Sequence, residues 1–179
     1  HQLCFIKEIY SRILSDGVMF DFIFCWEDMS FKNGPLISPH FIREFMLPYY
    51  RELVGFFREA NGGQHSFLLY SDGDVRQLIP LFREVGIDGM LPFEVAAGMD
   101  IVKFAQEYPD LILAGGIDKR EIAKGRSAID QELEAKLPTL FRRGGYLPSM
   151  DHHVPPEVSY ADFTYYVSRV QELYAEYGS

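Results

Sequence analysis

Cysteine is scarce in this sequence: Cys4 and Cys25 are the only two. A pair so spaced cannot build a disulfide framework or a Cys-based zinc site, and a reducing cytoplasm suits it best. Cations are in deficit, with 17 Lys and Arg against 26 Asp and Glu and a net charge of −9. An acidic surface repels nucleic acid and anionic membranes, so neither is an expected partner. No apolar run reaches the length of a membrane span, and no signal peptide opens the chain. The phosphate loop G-x-x-x-x-G-K-[ST], the nucleophile motif G-x-S-x-G and the zinc motif H-E-x-x-H are all missing. The glycine-rich stretches around Gly62 and Gly144 therefore read as helix stops. His1 stands first instead of Met, which points to a processed start or to a part of a longer protein.

What is present is a core-forming composition: 179 residues, 47% hydrophobic and 24% charged, with 15 Phe and 11 Tyr. That suffices for one domain, or a contiguous part of one. Leu3, Ile6, Ile9, Tyr10 and Ile13 recur at helical spacing, and Asp16-Gly17 ends that helix. A dense apolar run at residues 18–25 is short enough for a buried strand, and Glu27 and Asp28 follow it. Asn33-Gly34-Pro35 is turn chemistry within a loop. Ser38 and Pro39 suit the N-cap and first residue of a helix to about Ala60, kinked at Pro48 and stopped by Asn61-Gly62-Gly63. The cycle then repeats. Strands are expected near residues 66–70, 88–93, 111–115 and 145–148, and helices over 75–85, 99–107, 119–124, 128–142 and 160–177.

Strands alternating with helices imply an α/β fold with a parallel sheet. Units of roughly 25 to 45 residues fit a (β/α)8 barrel, which five strands cannot close. A complete doubly wound open sheet is the alternative that composition leaves open. An antiparallel sheet, or helices on only one face of a parallel one, is taken to count against the barrel.

Each expected strand ends in polar, mostly acidic residues. These are Glu27 and Asp28, Asp72 and Asp74, Glu94, Asp118 with Lys119, then Asp151, His152 and His153. In a parallel barrel such ends converge on one pocket. Asp28, Asp74 and Lys119 adjoin helix starts, where capping or a solvated loop is the stronger reading. Asp72 and Asp118 are balanced between site and turn. Glu94 follows the apolar Met90-Leu91-Pro92-Phe93, so its carboxylate needs a partner, in a site or in an ion pair. Of His152 and His153, one is expected to be a structural hydrogen-bonder and the other a site residue.

The segments WEDM, GPLISPHFIREFMLPYYREL, YSDGD, GIDGMLPFEVAAGMD, LILAGGIDK and GGYLPSMDHHVPPEVSYADFTYYV, in that order, resemble the C-terminal half of the uroporphyrinogen decarboxylase superfamily. The resemblance covers residues 20–166. It implies a TIM (β/α)8 barrel with its pocket at the C-terminal strand ends. About the last five βα units of one such domain would then occupy residues 1–179. It also implies a cytoplasmic carboxy-lyase of porphyrin biosynthesis that uses no cofactor, or a corrinoid-dependent methyltransferase. The partner would be a tetrapyrrole or a methyl-corrinoid-type substrate.

On the decarboxylase pattern, the key aspartate and an arginine motif belong to the first strands, ahead of this sequence, and His152 matches the pocket histidine. On the methyltransferase pattern, Tyr70 and Asp72 stand where a His-x-Cys pair holds zinc, and His152 where a later Cys does. The thiolate zinc site is therefore absent. A divalent metal on Asp72, Glu94 and His152, through O and N donors, is the alternative. The expected catalytic groups are His152, Asp72 and Glu94, with Asp118, Tyr70, Glu27, Lys119 and Asp151 binding substrate and no metal. Continued strand alternation would turn His152 one way with Met150, and Asp151 the other way with His153. Asp118 or Glu94 is the carboxylate expected beside His152. A third reading, from another class, is a catalytically silent module that pairs with another chain, as a homodimer for example, through an open sheet edge.

Overall fold

The computed structural model describes residues 1–60 and 65–178. The expected helix stop at Asn61-Gly62-Gly63 lies outside them. Helix α1 (Gln2–Ser15) leads into β1 (Phe22–Trp26), and a short hairpin, β2 (Ser30–Phe31) and β3 (Gly34–Pro35), follows. Next come α2 (Pro39–Phe45) and α3 (Leu47–Ala60), then β4 (Ser66–Tyr70), α4 (Ile79–Arg83) and β5 (Gly89–Leu91). A 3-10 turn (Val95–Ala97) precedes α5 (Ile101–Glu107) and β6 (Ile112–Ala114). The remainder is α6 (Lys119–Ile122), α7 (Arg126–Arg143), β7 (Tyr146–Leu147) and α8 (Tyr160–Tyr177). No helix among the described residues is long and apolar enough to cross a membrane.

The main sheet has five strands in the order β1-β4-β5-β6-β7, every neighbouring pair parallel. Parallel register puts paired residues on one face. Ile23, Cys25, Phe67, Leu69, Met90, Leu113 and Tyr146 share a face, and all join the main core with side chains from the helices. Phe57 of α3, Phe82 of α4 and Phe104 of α5 lie in that core. Burying each such ring contributes about 1.5–3 kcal/mol. Along the opposite face run Phe22, Phe24, Trp26, Tyr70, Leu91 and Leu147. None of these belongs to a helix-packed cluster, and Phe22, Phe24, Trp26 and Leu147 are exposed.

Helices thus cover one face of a parallel sheet. The sequence-based criterion held this against a barrel, and the criterion was mistaken. A doubly wound sheet needs helices on both faces. A barrel carries its helices outside only, and its other sheet face is the interior. The arrangement is consistent with part of a barrel.

Local chemistry explains the remaining differences. The first strand starts at Phe22, later than expected from its apolar run. Residues 30–35, expected as a loop, form the two-stranded hairpin. The helix expected to kink at Pro48 is broken in two at Met46. Pro48 has no N–H to give the preceding turn, so the hydrogen-bond ladder is interrupted just ahead of it. Ser38 caps α2 by accepting the Phe41 N–H, with Pro39 as first residue, as expected. Only Ile79–Arg83 of the helix expected over 75–85 is regular, with turns before it. The helix expected from residue 99 starts at Ile101, because Asp100 accepts the N–H groups of Val102 and Lys103 as its N-cap.

Candidate functional site

Because all five strands are parallel, their C-terminal ends lie on one edge of the sheet. Tyr70 and Asp72, two residues apart at the end of β4, fall on the same side. The Tyr70 hydroxyl donates to Asp72 Oδ1 at 2.7 Å. The other carboxylate oxygen, Oδ2, lies 3.5 Å from His152 Nε2, beyond the last strand. That is an ion-pair distance, longer than a well-formed hydrogen bond. Both partners are about one-third exposed, so water reaches the pair. Burial, the hydrogen bond to Asp72 and the negative charges of Asp72, Asp28 and Glu94 all push the Tyr70 hydroxyl well above its ordinary range. Tyr70 therefore keeps its proton and acts as a donor at neutral pH.

Glu94 is brought to the same loops by a sharp turn. Phe93, immediately before it, is buried with a positive φ of 55°, a sparsely populated conformation for a bulky residue. The turn lets Glu94 Oε2 accept the Gly73 N–H at 3.1 Å. Gly73 has φ +80°, and a Cβ on it would come within 2.7 Å of the Phe31 carbonyl carbon and oxygen. The hairpin is docked on this loop. Asp74 N–H donates to Phe31 O at 3.0 Å, and Met29 N–H donates to the buried Ser71 Oγ at 3.2 Å. We predict that Gly73→Ala costs about 2–4 kcal/mol of stability, from left-handed strain plus displaced backbone. Urea unfolding measures this, and a loss below 1 kcal/mol would show that the hairpin gives way freely.

The expected substrate-binding residues divide. Tyr70 belongs to the cluster with Asp72 and His152. Glu27 does not, because it faces the helices and accepts a hydrogen bond from Tyr50 of α3. It lines a groove of about 590 Å³ along the free edge of β1, with Tyr10, Cys25, Phe45, Tyr49 and Leu53. Burial, with Glu27 adding to it, pushes the Cys25 thiol up to about 11. The neighbouring Asp28, read from sequence as a cap or part of a solvated loop, adds its charge to those of Asp72 and Glu94 acting on Tyr70. The signal that could have found it is strand parity, which puts Asp28 on the side of Trp26 and Tyr70.

Asp151, only 1% exposed, accepts Val95 N–H at 2.9 Å and Lys119 N–H at 3.2 Å, and Lys119 Nζ lies 3.5 Å away. It ties the loops after β5 and β6 to the loop after β7. Lys119 is thereby held by Asp151 and is not directed at the Asp72 cluster. Asp118 turns to Arg120, accepting its backbone N–H at 2.9 Å and its guanidinium at 2.6 Å. It caps α6, where the sequence left Asp118 balanced between a site and a turn. The carboxylate beside His152 is Asp72, where Asp118 or Glu94 was expected. Strand β7 ends at Leu147, only a single bridge pairs Met150 with Ile117 beyond it, and residues 151–153 are bends, so continued strand alternation does not orient the two histidines. His153 is exposed and packs edge-on to the His152 ring at 4.7 Å.

Burial raises the Asp118 pKa, but hydrogen bonds and charge from Arg120 outweigh it and hold the carboxyl below its ordinary 3.8. A depressed folded-state value stabilises above the unfolded pKa, and the gain is lost as pH falls through the folded one. The stability difference between wild type and Asp118→Asn should therefore be full at pH 6 and shrink below pH 3.8. Urea unfolding at pH 6 and at about pH 3 checks the sign. A gap that widens in acid would reverse it.

Among the described residues, no group of three or more His, Cys, Asp and Glu side chains could hold a metal ion. What these strand ends do bring together is a tyrosine, a carboxylate and an imidazole, beside a second carboxylate, Glu94. The family model for uroporphyrinogen decarboxylase (URO-D) matches residues 6–173, nearly the whole chain. The chain belongs to the uroporphyrinogen decarboxylase family. No curated protein matches it significantly. The family includes decarboxylases and related methyltransferases, and it implies a TIM barrel.

Proposed function

We propose that this member of the uroporphyrinogen decarboxylase family is a cytoplasmic, cofactor-independent carboxy-lyase acting on a tetrapyrrole. One observation carries the reading: Asp72, hydrogen-bonded by Tyr70, sits against His152 at the strand ends. A proton added to the pyrrole ring makes a cation. The acetate arm then loses CO2 and its bonding pair neutralises that cation. The methylene left behind takes up a proton to become methyl as the ring returns its own. His152, oriented by Asp72, handles the proton. Asp72 and Glu94 supply fixed negative charge toward the developing cation, where water is partly excluded. Tyr70 holds Asp72 in place.

On this reading the five strands are the last of eight, within one domain that continues beyond this sequence. The groove along β1 is then where the preceding barrel unit packs. The substrate's carboxylate arms would be held by arginines from that preceding part, since Lys119, Arg120 and Arg76 are committed to Asp151, Asp118 and Asp74. Methyl transfer is placed second. Its thiol-activating zinc site needs thiolates, and Asp72 and His152 stand at the cysteine positions, with Tyr70 at that of the histidine. The test is to incubate the intact enzyme anaerobically with uroporphyrinogen and resolve the products by carboxyl number. Stepwise loss of carboxyls supports the reading. No decarboxylation, together with methyl transfer from a methyl-corrinoid, would replace it with the second.

A further inference from the structure

Three strand ends each place two consecutive residues against two different neighbours. Asp72-Gly73 follows β4, Glu94-Val95 follows β5 and Asp151-His152 follows β7. The Gly73 N–H donates to Glu94 Oε2 at 3.1 Å. The N–H of Val95, next to Glu94, donates to Asp151 Oδ2 at 2.9 Å. His152 follows Asp151, and its Nε2 lies 3.5 Å from Asp72 Oδ2, which returns the path to the residue before Gly73. The contacts close into a circuit in which three peptide links alternate with three side-chain contacts. Displacing any one of the three loops therefore disturbs the other two.

Glu94 is the member fixed from behind. Its carbonyl accepts the N–H groups of Ala97 and Met99 at 3.0 and 3.3 Å. Phe93 before it is buried with φ 55°. A bulky side chain keeps that backbone only where its surroundings hold it there, and such residues collect at functional sites.

We infer that Glu94 is a positioning residue for the Asp72–His152 pair. By holding the Gly73 N–H it fixes the backbone that carries Asp72. Through Val95 and Asp151 the same strand end fixes the backbone that carries His152. The pair needs outside support, because its own 3.5 Å contact is too long and too wet to lock its geometry. A displacement of about 1 Å in a reacting group can cost on the order of 10²-fold in rate. The inference rests on the Asp72–His152 pair being the functional site, and it adds a second role to the charge that Glu94 supplies there.

The test is Glu94→Asp in the intact enzyme, which keeps the charge but draws the carboxylate back by one methylene from the Gly73 N–H. Two readouts decide it. By NMR, the His152 ring signals should shift or broaden in Glu94→Asp and stay unchanged in Glu59→Asp, an exposed acid at the end of α3. In decarboxylation, Glu94→Asp should lower kcat about tenfold with KM within about twofold, as expected for lost alignment. In an Asp72→Asn background the same substitution should change kcat by about twofold at most, because a residue acting through the pair has little left to act on. His152 signals unmoved by Glu94→Asp, or a tenfold loss that persists in the Asp72→Asn background, would overturn the inference. The NMR readout needs no substrate. A protein that does not decarboxylate uroporphyrinogen would refute the proposed reaction, while the His152 signals would still decide the role of Glu94.

Discussion

His152→Ala should lower turnover by about 10²–10⁴-fold, the range associated with losing a positioned proton-transfer group. His153→Ala should leave turnover within a few-fold of wild type. Only His152 is held against a carboxylate, and it is half-buried while its neighbour is exposed. The two rings touch at 4.7 Å, so removing His153 frees some motion of His152 but not its charge partner. The measurement is steady-state decarboxylation by the intact enzyme, with both variants matched for stability by thermal unfolding. Asp72→Asn is the informative companion. It keeps an acceptor for Tyr70 but removes the charge facing His152. It should shift the pH profile as well as lower the rate, which a merely structural Asp72 would not do. Equal losses from His152→Ala and His153→Ala, or a larger loss from the latter, would overturn the assignment.

Asp151→Ala should unfold the site before it disables chemistry. The carboxylate is almost fully buried, accepts two backbone N–H groups from separate loops and faces Lys119 Nζ. Removing it leaves two buried donors and a half-buried cation uncompensated. Removing one partner of such an assembly costs about 3–5 kcal/mol. The loss should appear in urea unfolding and, by hydrogen exchange, as faster exchange at Val95 and Lys119 before the core strands. Asp151→Asn keeps the shape and one acceptor oxygen and should recover part of the loss. A variant of wild-type stability with impaired ligand binding would instead support Asp151 as a residue that contacts substrate.

Much of the fold could be read directly along the chain. The alternation of short apolar runs with helix-period segments specified parallel strands and their order of appearance. Ser38-Pro39 specified a helix start, because capping chemistry is local. The strand-end position of Tyr70, Asp72, Glu94 and His152 was legible for the same reason: a parallel strand delivers its next residues to a known edge. Breaks governed by several competing weak signals were less legible. These include the hairpin at residues 30–35, which is held by β4-loop contacts such as Phe31 O with Asp74 N–H, made across more than 40 residues of sequence.

Partner choice was decided only by the tertiary structure. Sequence placed five groups of acids at one edge but could not assign their hydrogen bonds, because that depends on which loops approach in space. Folding set Asp118 against Arg120, Asp151 under Lys119 and Val95, and Glu27 against Tyr50 on the helix side. It left Asp72 for His152. The aromatic grouping of Trp26 with Tyr70 was likewise invisible along the chain, since β1 and β4 meet through a pairing register that no local pattern specifies. Chain chemistry by itself determined which residues reach the edge. Packing determined which of them are consumed in holding the loops and which stay available, because a buried carboxylate must satisfy its charge with the nearest donors that folding provides.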